Sequence, residues 1–238
     1  MFGLQRVPCV ARLVEYGKCV RVEGKRERLH LAAIPNHKTD MLAEFLSGLF
    51  DMPCDSLSNY LCVIMTPSNP ILHTTRLYTM FSDYEHGIVY DRNPLFYGEW
   101  SDASSELLIA CDEEHQQLLA KLDKLDLTGV RSLKEHYESD TVQQLTNKLR
   151  SIKSLHNLST PMLQVEGGWI PDFKSRYFSA DFPYGLDIIK QIAELAEVEV
   201  PNISMVMAWY RRVTGDKNKL SLCDYDVNTV RDIYALYL

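Results

Sequence analysis

Thr39-Asp-Met-Leu-Ala-Glu-Phe-Leu-Ser-Gly-Leu-Phe50 is where the period of the sequence changes. Before it, Cys9–Val14, Cys19–Val22 and Leu29–Ala33 are short β-prone runs separated by turn residues at Gly17 and Gly24, a pattern that predicts strands and hairpins. Within it, Met41, Leu42, Phe45, Leu46, Leu49 and Phe50 recur at helical spacing and are expected to form one inward face. The helical period then persists to the end of the chain. The fold class expected is mainly α, a helical bundle over 37–238 preceded by a β-rich segment over 1–36. Three short strands make a poor sheet alone, so that segment reads as the edge of something larger.

Outward from this switch, the first helix is expected to end near Pro53, and the apolar run Leu57–Met65 leads into Pro67-Ser-Asn-Pro70, where two prolines break or restart a helix. Leu107, Leu108, Cys111, Leu118, Leu119, Leu122 and Leu125 predict a long amphipathic helix, with Asp112–Gln117 as its solvated face. Ser132-Leu-Lys-Glu135 has the capping-box form. A short helix is expected over Val142–Ile152, and a long loop over Ser159–Tyr177. Pro183–Glu197 is the clearest helix, followed by helices over Ile203–Val213 and Val227–Leu238. Arg211 and Arg212 are expected to face a helix end and its dipole.

The chain has 238 residues, 46% of them hydrophobic and 24% charged, as ordinary globular proteins have. Its 25 Lys plus Arg against 32 Asp plus Glu give a formal net charge of −7 with no basic run, which argues against nucleic acid as the partner. There is no secretory start and no apolar run near ~20 residues, so no membrane partner is expected and a cytoplasmic location is. Six cysteines lack any C-x-x-C pair; no metal site is expected, and the thiols should be reduced. No G-x-G, G-x-S-x-G or H-E-x-x-H occurs, so the chain carries no dinucleotide fingerprint, serine-hydrolase elbow or zincin helix.

Two segments remain that could carry chemistry. Asn69-Pro-Ile-Leu-His73 lies at the helix break, and Arg176-Tyr-Phe-Ser-Ala-Asp181-Phe-Pro-Tyr-Gly185-Leu joins the long loop to the clearest helix. A partly exposed histidine on a helix end suits acid–base work, but can equally cap a helix or fill a core gap. Asp181 stands where it could cap the helix begun by Pro183, and Arg176 could be a solvated loop residue. Together, Arg, Asp and a remote His are the groups needed to bind a carboxylate, orient an imidazole and move a proton. Trp169, beside Gly167 and Gly168, is the best candidate for a substrate wall, and Cys9 reads as a small buried thiol.

In order and spacing these two segments, with Val200-Pro-Asn-Ile203 and the opening Gln5-Arg-Val-Pro-Cys-Val-Ala-Arg12, resemble the octopine/nopaline (opine) dehydrogenase family. The resemblance implies a helical domain like the C-terminal domain of 6-phosphogluconate dehydrogenase, with residues 1–36 as the end of a Rossmann domain. It implies reductive condensation of an amino acid with an α-keto acid through an imine, using NAD or NADP as cofactor. His73 would be the catalytic histidine, Asp181 the carboxylate that orients it, and Arg176 the grip on a substrate carboxylate. Asn69 would shape the loop or touch the nicotinamide end of the cofactor, or else cap the helix before Pro70. Since the glycine fingerprint is absent, either the polypeptide is a fragment or a separate Rossmann chain supplies the nucleotide domain; a homo-oligomer is the other expected partnership. The rival expectation is a non-catalytic helical binding or assembly module.

Overall fold

The computed structural model describes residues 1–215 and 220–237. Along the chain lie β1 (Phe2–Leu4), β2 (Val10–Glu15), β3 (Cys19–Glu23), β4 (Leu29–Ala33), α1 (Thr39–Phe50), β5 (Cys54–Ser56) and α2 (Leu61–Ile64). There follow α3 (Asn69–Phe81), α4 (Asp102–Lys121), α5 (Leu133–Tyr137), α6 (Val142–Ser151), α7 (Lys153–His156), β6 (Met162–Val165), β7 (Gly168–Pro171) and α8 (Arg176–Ser179). A π-helical turn (Phe182–Leu186) runs into α9 (Asp187–Leu195), and α10 (Pro201–Thr214) and α11 (Val230–Tyr237) complete the chain. Leu238, where the last helix was expected to end, lies outside the described residues.

Packing divides the chain into two compact units. The first comprises Met1–Thr66, Asp123–Val130 and the chain end from Tyr234. In it β4 pairs antiparallel with β1 and parallel with β5, while β2 and β3 form a separate antiparallel hairpin turned by Gly17, whose φ of 73° lies in the left-handed region. The strands expected from the sequence are therefore present, and β1 and β5 complete the sheet around β4. On α1 the expected inward face is only partly inward. Ala43 and Leu46 pack with Leu31 of β4, whereas Met41, Phe45 and Leu49 are more than half exposed. The reason is size: small Ala43 lets the helix lie close to the sheet, and the bulkier residues of the apolar pattern fall on the flank.

The second unit, Pro67–Leu122 with Arg131–Ile233, is mostly helical. α4 starts on the side chain of Ser101, which accepts from the Ser104 amide, and α5 carries the expected Ser132/Glu135 capping box. The expected loop Ser159–Tyr177 instead contains the hairpin β6–β7. Gly167 in the turn and Gly168 at the start of β7 both adopt positive φ, and a Cβ on Gly168 would stand 2.2 Å from the Tyr90 carbonyl oxygen.

The expected solvated face of α4 is also corrected, because Asp112, Glu114 and His115 are buried. The acids sit at the starts of other helices, where unpaired amides favour an anion. Asp112 accepts from Leu133 N at 2.7 Å, and Glu114 accepts from Asn202 N at 2.7 Å and Ile203 N at 3.0 Å. Burial nevertheless pushes the Asp112 carboxyl up to about 6, with the Leu133 amide opposing. Of the two arginines expected to face a helix end, Arg212 does so at the C-terminal cap of α3, whereas Arg211 pairs with the first residue of α9. Arg211 donates to Asp187 at 2.6 Å and Arg212 to the Ser82 carbonyl at 3.0 Å.

His115 is fully enclosed, and among the described residues neither ring nitrogen has a hydrogen-bond partner. Burial lowers its pKa from 6.5 to about 4, so the folded state holds it neutral where the unfolded chain would be protonated. Its contribution is present above the unfolded value and is lost as pH falls from about 6.5 towards 4, by about 3 kcal/mol at pH 4. Urea denaturation between pH 7 and pH 4 should therefore show a shallower loss of stability for His115→Phe than for the native chain. Equal slopes would contradict this account.

Candidate active site

The second unit brings His73 and Asp181 together across 108 positions of sequence. α3 begins at Asn69 with Pro70 in its first turn, where a missing N–H costs nothing and a fixed φ favours the helix. His73 lies one turn further and is 6% exposed, more deeply set than the partly exposed histidine expected from the helix break.

Its partner arrives on a widened turn. Over Phe182–Leu186 the amides of Leu186 and Asp187 donate to carbonyls five residues back, Asp181 and Phe182, instead of four. Pro183 lies in this turn, at a position where its missing N–H costs nothing. The clearest helix of the sequence thus begins as a π turn and becomes regular only at Asp187. Asp181 precedes this turn, and its side chain makes no capping hydrogen bond; it meets His73 Nδ1 at 2.8 Å. Gly185 permits the approach, because a Cβ there would lie 2.9 Å from both Cβ and Cγ of Pro70, a rigid ring.

An ionised carboxylate only accepts, so His73 donates from Nδ1 and a neutral ring leaves Nε2 as an acceptor. Nε2 stands 2.9 Å from the Tyr97 hydroxyl. The ring is flanked by Tyr177, at 4.4 Å between centroids, and meets the edge of Phe96 at 5.6 Å. An oriented imidazole with one basic nitrogen in an aromatic enclosure can accept and return a proton.

Of the other expected site residues, Arg176 is exposed at the start of α8, next to Tyr177, and no acidic side chain among the described residues pairs with it. Asn69 is exposed as the first residue of α3, and the capping position falls to Ser68, so Asn69 is not the cap. Trp169 is half-buried on β7, bridged through its backbone to Tyr90, and makes no ring contact with the His73 group among the described residues. Cys9 is half-buried, and none of the six cysteines is paired.

Sequence reasoning missed Tyr97, Tyr177 and Arg76. Tyr177 lay inside a quoted motif; Tyr97 and Arg76 had no local signal. Arg76, one turn beyond His73, is buried and donates to the carbonyls of Phe96 at 3.1 Å and Glu99 at 2.8 Å and to Ser104 Oγ at 3.0 Å. It fixes the turn that carries Tyr97. Burial lowers its pKa to about 10, which leaves it charged near neutrality.

Residues 56–214 match the sequence model of the family described as NAD/NADP octopine/nopaline dehydrogenase, alpha-helical domain. Octopine dehydrogenase of Mizuhopecten yessoensis is 27% identical over 229 residues, covering 90% of this chain and 56% of that protein. Tauropine dehydrogenase of Arabella iricolor is 26% identical over 225 residues, covering 88% and 56%. A solved structure of octopine dehydrogenase with NADH and L-arginine superposes with a TM-score of 0.77 at 22% identity, covering 98% of this chain and 64% of that one, which establishes likeness of fold. The matched segment includes His73, Tyr97, Arg176 and Asp181, and the chain belongs to the octopine/nopaline dehydrogenase family. It spans a little over half the length of the curated relatives it matches. No helix among the described residues is long and apolar enough to cross a membrane.

The contact at Gly185 yields a direct expectation. Gly185→Ala should force the π turn and the start of α3 apart, lowering stability by roughly 1–3 kcal/mol, as overpacking of a close contact does. Urea denaturation measures the loss, and unchanged stability would show that the contact does not constrain the site.

Proposed function

We propose that this chain is the substrate-binding and proton-transferring part of an opine dehydrogenase-like oxidoreductase, one that condenses an amino acid with an α-keto acid such as pyruvate and reduces the product with NAD(P)H. The observation that carries the reading is the hydrogen bond between Asp181 and His73 inside the segment matched to the family. An ammonium group is no nucleophile until it loses a proton, and a carbonyl oxygen leaves as water only after gaining protons. A histidine with one oriented basic nitrogen serves both demands. Asp181 holds the ring with its Nδ1–H toward the carboxylate, which fixes the orientation of the imidazole.

Arg176 offers an exposed planar fork beside the Tyr177 that flanks His73, suited to a substrate carboxylate. Asn69, exposed one turn ahead of His73, is proposed to lie toward the nicotinamide end of the cofactor, and Trp169 to wall the substrate. The helical unit is proposed to share the architecture of the 6-phosphogluconate dehydrogenase C-terminal domain, and residues 1–36 to be the end of a nucleotide-binding domain.

The cofactor itself does not fit the residues described. A dinucleotide pyrophosphate needs a glycine-rich turn from strand to helix with free amides. Here β4 leads to α1 through Ile34-Pro35-Asn36-His37-Lys38, without a glycine and with a proline that has no N–H. The cradle is therefore proposed to lie in residues beyond these 238, in the same polypeptide or in a separate chain.

Three substitutions in the complete enzyme test the assignment. His73→Asn should lower turnover by about 10²–10⁴-fold with substrate affinity kept. Asp181→Asn should lower it less, because the imidazole remains, and Arg176→Ala should chiefly raise KM for a carboxylate substrate. Oxidation of NADH should require amino acid and keto acid together. Normal turnover by His73→Asn would remove the assignment, and a non-catalytic assembly module predicts no turnover under any of these conditions.

A further inference from the structure

Both ring nitrogens of His73 are hydrogen-bonded. Nδ1 is held by Asp181 at 2.8 Å and Nε2 by the Tyr97 hydroxyl at 2.9 Å, with Tyr177 and Phe96 flanking the ring. The Tyr97 hydroxyl is hydrogen-bonded to Nε2, so a proton exchanged along this bond passes through the phenol oxygen. A phenol can both donate and accept there, which a purely structural side chain would not need to do.

The hydroxyl is also deliberately placed. Tyr97 is buried, stacked on Trp100 at 6.1 Å and edge-on to Phe96 at 5.1 Å. Its turn is clamped at both ends by Arg76, which binds the carbonyls of Phe96 and Glu99 from the same helix that carries His73. Next to it, Gly98 lets the turn approach the end of α7, since a Cβ there would lie 2.7 Å from the His156 carbonyl oxygen. One helix therefore supplies both the imidazole and the clamp that sets the phenol against it.

We infer that Tyr97 is a catalytic proton relay between His73 and the reacting amine, an inference that rests on the reading of His73 as the group that moves the substrate proton. In the forward step the phenol oxygen takes a proton from the substrate ammonium as the phenol proton passes to Nε2. One substrate N–H bond and one phenol O–H bond break; one phenol O–H bond and the Nε2–H bond form. One proton moves from substrate to His73, the phenol is regenerated, and nothing is oxidised or reduced. The reverse passage returns the proton to the departing hydroxyl.

Tyr97→Phe keeps the ring and removes the relay. In the complete enzyme it should lower kcat by about 10²-fold while KM stays within about twofold, the scale of a lost acid–base group. His73→Asn is measured beside it. Loss of turnover in His73→Asn with full kcat in Tyr97→Phe would overturn the relay and leave the role of His73 intact, whereas full turnover in both would overturn both. A fall in melting temperature with kcat unchanged would assign Tyr97 to packing and overturn the relay as well. A second readout needs only this chain: the Tyr97 hydroxyl proton should exchange slowly with water and show nuclear Overhauser contacts to the His73 ring protons. A hydroxyl in fast exchange with no such contact would contradict the proposal.

Discussion

The contact between Gly185 and Pro70 governs the site. Pro70 starts α3, which carries His73, and Gly185 lies in the π turn that presents Asp181, so a single close approach sets the separation of the two functional groups. The π turn matters for the same reason. Hydrogen bonds to the fifth residue back widen the chain at the point where Asp181 must face α3, and such turns recur where function asks for irregular backbone. With the carboxylate in place, the tautomer of His73 and the role of Tyr97 follow from which groups can donate and which can only accept.

The surrounding helices are tied by buried polar groups instead of apolar packing alone. Asp112 and Glu114 of α4 take the starts of α5 and α10, and Arg76 of α3 takes the turn before α4. Each of these groups would be costly to bury unpaired, so each restricts the neighbouring element to the place where its partner is met. His115, enclosed without a hydrogen-bond partner among the described residues, runs against this pattern, and its cost appears as sensitivity to acid.

Much of the fold was legible because its signals are local. The strands around Gly17, the capping box at Ser132 and the helix breaks at Pro67 and Pro70 each depend on a few adjacent residues. The β6–β7 hairpin was missed, because the richness of its segment in Pro, Gly and Ser made it read as a loop despite the turn signal at Gly167-Gly168. The flank of α1 and the buried acids of α4 were not legible. Apolar period alone does not say which part of a broad face meets the sheet, and an acid that caps a distant helix has the same spacing as a solvated one. The pairing of His73 with Asp181 could be suspected from the motifs, whereas Tyr97 is set by a turn whose anchor, Arg76, has no neighbour in sequence to reveal it.

The most direct test of the central claim is the tautomer of His73, read by nitrogen-15 NMR of this chain with His73→Asn as the assignment control. The account predicts a proton on Nδ1 and a bare, hydrogen-bonded Nε2 in the neutral ring, because Asp181 accepts from the first nitrogen and Tyr97 donates to the second. A proton found on Nε2 with Nδ1 bare would contradict it, since Asp181 would then not be the group that orients the imidazole.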